Sequence, residues 1–301
     1  MASGELMQYV VLWVLLFATV SFTAKGSEET SINDAGFDFT LTNDIHYVSQ
    51  KLDEVTTAQT LDVYKPNTIA LAPVILYVHG GAWAFGDKKD VHVKPNYFTH
   101  NGFAFVSINY RLRWDYKIYD QVVDLVSAIE WIQENGAEFG LDADRIVMKG
   151  HGAGGHLVSL VMTDSSYLRA EGLSGKGVKA VVSIDSTSYD ITRVMKELGS
   201  FIERRKHEVI FTSNEKIWRA ASPQTHVSKN PSLPPFALLY NPERDITTLQ
   251  AKGFAKALKG AGGVLVMVPG SVSDPARTNE LIGVSGNIAT VALMAFIRSQ
   301  I

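Results

Sequence analysis

The 301 residues contain no cysteine, which removes disulfides, thiolate metal sites and cysteine nucleophiles at once. Neither sign of charge is in excess. Lys and Arg total 28 against 31 Asp and Glu, a formal net charge of −3, so nothing points to nucleic acid as a partner. The one short basic run, Arg204-Arg205-Lys206, reads as a solvated helix face. No internal repeat and no Pro- or Ser-rich linker divides the chain. With 46% apolar and 20% charged residues, it suits one large globular domain. Histidine is present but confined, since all eight lie at or before His226.

The amino-terminal stretch has its own character. Residues 7–24 (MQYVVLWVLLFATVSFTA) are almost wholly apolar and give way to Lys25-Gly26-Ser27-Glu28-Glu29. The pattern reads as a secretory signal peptide cleaved near Ser21 or just after Ala24, which makes the mature protein secreted or periplasmic. Ahead of the run stands Glu5 and no Lys or Arg, and the run approaches the length of a bilayer span. A signal anchor is therefore the alternative, followed by a buried core helix. Residues 25–57 form an extension holding a short strand or two, and the main domain is expected over 58–301.

From there short apolar runs alternate with longer amphipathic ones. Strands are expected at 74–78, 103–108, 146–148, 178–184, 235–240 and 264–268. Helical periods run over 119–135, 155–163 and 248–259. Strands alternating with helices predict an α/β fold, a mostly parallel sheet with helices on both faces. The segment 186–223 breaks the rhythm with an amphipathic helix over 191–202, and is expected to form a small lid above the strand ends, where ligands enter such sheets.

Three local sequences carry chemistry. His79-Gly80-Gly81-Ala82-Trp83, extended by Gly86-Asp87-Lys88, follows the first of the long strands. Asn109-Tyr110-Arg111-Leu112 follows the second. Gly150-His151-Gly152-Ala153-Gly154-Gly155-His156 follows the third. In this order and spacing the chain resembles the α/β-hydrolase superfamily, in the branch of small carboxylesterases related to hormone-sensitive lipase, feruloyl esterase-like proteins and kynurenine formamidases. The resemblance covers about residues 58–300. It implies an oxyanion hole built from the backbone N–H groups of Gly80, Gly81 and Ala153. It implies a nucleophile at the middle of G-x-x-x-G, where this chain has Gly152. The acid is expected at Asp245, in the turn after a strand. The base is expected near Asp274 or Pro275, and neither is a histidine.

No histidine follows Asp245, so no shift of alignment supplies one in the family's order of nucleophile, acid and base. His151 and His156 flank the elbow and read as packing residues. Ser271 and Ser273 sit in the loop that should carry the base, but a serine is no general base at neutral pH. His79, His151 and His156 lack the spacing of a metal site, and no P-loop lysine accompanies the glycines. No cofactor is therefore expected. The reading is a protein of the esterase family that has lost serine-hydrolase activity and works as a binding or scaffold module. A small acyl or aryl ligand suits it, and a membrane enters only if the leader stays uncleaved. The alternative is a weak hydrolase of small esters or formamides using the retained N–H groups and Asp245.

Overall fold

The computed structural model describes residues 27–32, 38–48, 57–113, 116–198, 200–230, 232–270 and 277–301. The leader at 7–24 and the positions Asp274 and Pro275 lie outside the described residues. Among the described residues, no helix is long and apolar enough to cross a membrane.

Nine strands form one sheet: β1 (Ser27–Ile32), β2 (Asp38–His46), β3 (Thr60–Pro66), β4 (Ala72–Val78), β5 (Ala104–Ile108), β6 (Leu141–His151), β7 (Val178–Ile184), β8 (Phe236–Tyr240) and β9 (Leu265–Pro269). Their order is β1-β2-β3-β5-β4-β6-β7-β8-β9. The first three are antiparallel additions, and the six from β5 to β9 are parallel. All six expected strands are present, as β4 to β9. The extension over 25–57 is not separate from the domain, because β1 and β2 hydrogen-bond into its edge.

The helices are α1 (Lys94–His100), α2 (Ile118–Asn135), α3 (Ala153–Thr163), α4 (Ser166–Ala170), α5 (Ile191–Arg193), α6 (Phe201–Phe211), α7 (Glu215–Ala220), α8 (Pro223–His226), α9 (Asp245–Gly260) and α10 (Ile288–Arg298). Two buried clusters cover the two faces of the sheet. One joins α2, α3 and α9 to residues such as Leu76, Val106 and Met148. The other joins α1 and α10 to Ile75, Val147 and Val182. Alternating residues of each strand thus enter opposite cores, as a two-sided parallel sheet requires.

The lid begins where expected, but its main helix is displaced. The amphipathic run is split by two caps: Asp190 accepts from the Arg193 N–H at 3.0 Å and starts α5, and Ser200 accepts from the Glu203 N–H at 3.2 Å and starts α6. Side-chain caps of this kind fix where a helix begins. The periodicity over 191–202 therefore becomes α5, a wider π turn over Val194–Leu198, and a separate α6.

The chain steps from β4 outward to β5 and back across to β6. That reversal opens a crevice at the carboxyl ends of β4 and β6, and the glycine motifs lie there.

Candidate active site

At the end of β6, Gly152 has φ 53° and ψ −111°, a backbone that L side chains rarely adopt. Its N–H donates to the Ile184 carbonyl at 2.8 Å. This is the tight strand-to-helix turn that the motif predicts. The flanking glycines are required by contact. A Cβ on Gly150 would stand 2.3 Å from the Gly154 backbone, and one on Gly154 would stand 2.2 Å from the Val78 carbonyl oxygen. Among the described residues, a Cβ on Gly152 would meet nothing within 4 Å. The turn is built tightly around an apex that leaves room for a side chain.

The loop after β4 is equally constrained. Gly81 has φ 118°, and a Cβ there would lie 2.0 Å from the Phe85 carbonyl oxygen. Ala82 and Trp83 also have positive φ, 51° and 61°. The loop is braced from below by the second motif. The Tyr110 hydroxyl donates to the His79 carbonyl at 3.1 Å, and Asn109 Oδ1 accepts from the Lys88 N–H at 2.6 Å. Arg111 pairs with buried Asp124 at 2.7 Å. Lys88 is itself held between Asp44, at 2.7 Å, and Asp62. The Asn-Tyr-Arg and Gly-Asp-Lys sequences thus hold the loop in place and do not line the cavity.

A cavity of about 220 Å³ lies between these turns and the lid. Gly81, Ala82, Trp83, His151, Gly152 and Ala153 form its floor. Asp185, Thr187, Arg244 and, from α6, Glu203, Lys206 and His207 form its walls. The structure therefore brings Gly81, Gly152 and Ala153 together. It does not bring Asp245 to them, since that residue is exposed at the first position of α9 and Arg244 faces the cavity instead.

Asp185, which follows β7, is one of two carboxylates lining the cavity, with Glu203 of α6. It is buried, holds a positive φ of 51°, and accepts from Arg244 at 2.5 Å and from the Asn241 N–H at 3.3 Å. Strained non-glycine backbone of this kind gathers at functional sites. Sequence reasoning missed Asp185 and Arg244. No periodicity reports which residue of a strand-end turn points inward.

The histidines divide by role. His156 accepts from Trp83 Nε1 at 3.2 Å and donates through Nε2 to the Ala221 carbonyl at 2.7 Å. Burial lowers it to about 4, so it is a neutral strut between the β4 loop and the lid. His151 lines the cavity but is pushed down to about 3, first by burial and then by the positive charges of Lys149, Lys94 and Arg244. His207, unmarked by any motif, donates from Nδ1 to the Glu203 carbonyl at 2.8 Å and accepts at Nε2 from Ser188 Oγ at 2.7 Å. Both of its nitrogens are occupied, and burial lowers its pKa. Among the described residues no group of three metal-ligating side chains forms.

Lys149, three residues before the apex, is fully buried. Its Nζ has no hydrogen-bond partner among the described residues and lies 4.5 Å from the Tyr77 ring centroid. Burial, then Lys94, holds the amine well below its usual 10.5. A lysine whose folded pKa is depressed binds fewer protons than the unfolded chain between the two pKa values, so its penalty grows as pH falls below 10.5 and vanishes above it. Lys149→Met is expected to stabilise the protein by about 1–3 kcal/mol at pH 7, the usual cost of an unsatisfied buried polar group. Denaturant melts across pH check this, since the gain should shrink toward pH 11. A variant that is less stable at pH 7 would refute the assignment.

Comparison with known proteins agrees with the fold and the motifs. The BD-FAE family model matches residues 61–258. The chain is 30% identical over 218 residues to a probable carboxylic ester hydrolase, LipM, of Mycobacterium tuberculosis, covering 68% of this chain and 50% of that protein. It is 27% identical over 216 residues to isoprenylcysteine alpha-carbonyl methylesterase of Arabidopsis thaliana, covering 67% and 50%. The chain thus spans about half the length of the curated relatives it matches. Esterase B of Lactobacillus rhamnosis superposes with a TM-score of 0.70 at 20% identity, over 86% of this chain and 84% of that one. A truncated carbohydrate esterase from gut microbiota gives 0.72 at 19% identity, over 92% and 99%.

Proposed function

The chain belongs to the BD-FAE family, a carboxylesterase-like branch of the α/β-hydrolases, and from that premise we propose that it has lost serine-hydrolase catalysis and retains the pocket for binding. The observation that carries this reading is Gly152: the turn holds the geometry of a nucleophile elbow, yet its apex has no side chain. The absence of any histidine beyond His226 supports it independently. So does Arg244, whose guanidinium faces the cavity beside the acid position and ties up the Asp185 carboxylate.

The pocket keeps what recognition of a carbonyl needs. Gly81 and Ala153 line the cavity, and on this reading their N–H groups serve as the oxyanion hole. Gly80, the other expected contributor, is not among the lining residues. Ala153 opens α3, where N–H groups lack intrahelical acceptors. A ligand of small acyl or aryl type, its carbonyl oxygen at these N–H groups and its body against Trp83, suits a cavity of about 220 Å³. Export through the leader at 7–24 belongs to the same reading, and mass spectrometry of the mature amino terminus decides between cleavage and anchoring.

A second reading keeps some chemistry. Oxyanion stabilisation and binding alone leave on the order of 10³–10⁴ in rate over water when a triad is gone. Under this reading Asp185→Asn, which removes a carboxylate lining the cavity, lowers activity sharply, whereas a binder's affinity is unchanged. Asp245, exposed at the start of α9, is not part of the test. The test of the main proposal is steady-state turnover of p-nitrophenyl acetate by the purified protein. The expected kcat is far below the roughly 1–10³ s⁻¹ of ordinary enzymes, and a kcat inside that range would overturn the loss of catalysis.

A further inference from the structure

Among the described residues, the lid helix α6 has one exposed face. His207, Ile210 and Phe211 turn inward, and Phe211 and His207 pack edge-on against Trp83 with centroids 5.1 and 5.5 Å away. On the outer side Phe201, Ile202 and Val209 are 75%, 65% and 57% exposed. Helical spacing puts Ile202, Arg205 and Val209 in one stripe with Phe201 beside it. Arg204 and Lys206 flank that stripe. Lys206 pairs with Glu203 and Arg205 with Glu208 along the helix, leaving Arg204 without an ion pair among the described residues.

The surroundings extend the pattern. Phe85, Val93, Tyr119, Val284 and Ile288 are also exposed, and all belong to segments that leave the carboxyl ends of β4, β5 and β9. Much of the apolar exposure is therefore in segments on the side of the sheet where the cavity opens, although Leu71, Val264 and Val266 are exposed elsewhere. The charge there is opposite to that of the chain as a whole: residues 186–223 hold seven Lys and Arg against five Asp and Glu, in a chain of net charge −3.

We propose that this face docks onto an anionic phospholipid bilayer, with Phe201, Ile202 and Val209 entering the interface and Arg204, Arg205 and Lys206 meeting the headgroups. A helix lying in the interface is built this way, apolar on one side with long basic side chains reaching back to the phosphates. A second copy of the chain is a poorer occupant. A two-fold contact through this face would set the Arg204-Arg205-Lys206 run against its own copy. Docking would place the cavity mouth at the membrane surface, whether or not the pocket catalyses. It is separate from any anchoring by the leader.

The lack of cysteine allows a direct test on the full chain. An environment-sensitive fluorophore is attached to a single cysteine, either in Ile202→Cys or in Val264→Cys, the latter exposed just before β9 at the opposite end of the sheet. Vesicles of phosphatidylcholine mixed with phosphatidylglycerol should shift the emission to the blue at 202 and leave it unchanged at 264. The response should weaken with salt and on pure phosphatidylcholine. Arg204→Gln should raise the lipid concentration at half-binding about fivefold, the share of one basic residue near an anionic surface. Phe201→Asp with Val209→Asp should abolish the response. No shift at 202, or equal shifts at both positions, would overturn the proposal. So would a shift at 202 that grows with protein concentration without vesicles.

Discussion

Gly152→Ser alone is expected to leave ester turnover at the wild-type level, and Gly152→Ser combined with a histidine at 274 or 275 to raise it about 100-fold. The reasoning comes from the non-additivity of catalytic triads. Removing the serine or the histidine alone costs about as much as removing all three members, on the order of 10⁶ in rate. One member restored is therefore worth almost nothing. Loss of the acid alone costs about 10⁴, so a serine and histidine without their acid recover the remaining factor of about 10².

The acid is the limiting part, because Asp245 is exposed and Asp185 is held by Arg244. The single variant should fold, since a Cβ at 152 meets no atom of the described residues within 4 Å. It should nevertheless lose about 1–3 kcal/mol to backbone strain at φ 53°. Steady-state assays with p-nitrophenyl acetate on Gly152→Ser, Gly152→Ser/Asp274→His and Gly152→Ser/Pro275→His check the series. Robust activity in the single variant would contradict it.

Gly154→Ala is expected to cost far more stability than its size suggests, about 4 kcal/mol or more, at the upper end of single substitutions. The new Cβ would lie 2.2 and 2.5 Å from the carbonyl oxygens of Val78 and His79. Both are backbone atoms at the end of β4 and cannot rotate away. The only relief is to lift α3 from the sheet, and all eleven of its residues are buried. The displaced helix would also carry Ala153 away from Gly81, so the cavity floor fails together with the fold. Gly260→Ala, where the added Cβ meets nothing, is the matched control. Urea midpoints for both variants decide the point, and similar midpoints would show that the close approach of α3 to β4 is not required.

Much of this molecule is legible in the chain, for identifiable reasons. The inner parallel strands stand out because they are buried on both faces and carry near-continuous apolar runs, whereas the edge strand β9 is half-exposed and shows only as a short apolar run. Val74, Ile75, Leu76, Tyr77 and Val78 are all at most 1% exposed. The glycines at 81, 150 and 154 are visible because a Cβ at each would stand within 2.3 Å of backbone atoms. Strands β1 and β2 at the antiparallel edge were harder to place, because Ser27–Ile32 and Asp38–His46 mix polar and apolar residues.

The lid was misjudged at 191–202 because periodicity does not report the caps at Asp190 and Ser200. The site's walls were less legible still. Whether position 244 or 245 faces inward depends on where α9 begins, and a one-residue difference reverses it. His207 reaches the cavity only because the lid folds back over Trp83. Contacts between elements far apart in sequence leave no local signature.

Under the proposed function, no side chain in the cavity acts as an activated nucleophile. Intact-mass spectrometry of the wild-type protein after prolonged exposure to a fluorophosphonate tests it most directly, with the Gly152→Ser/Asp274→His variant as the positive control. The account predicts an unmodified wild-type mass and a slowly labelled variant. A stoichiometric phosphonyl adduct on the wild-type chain, at any residue of the pocket, would contradict it.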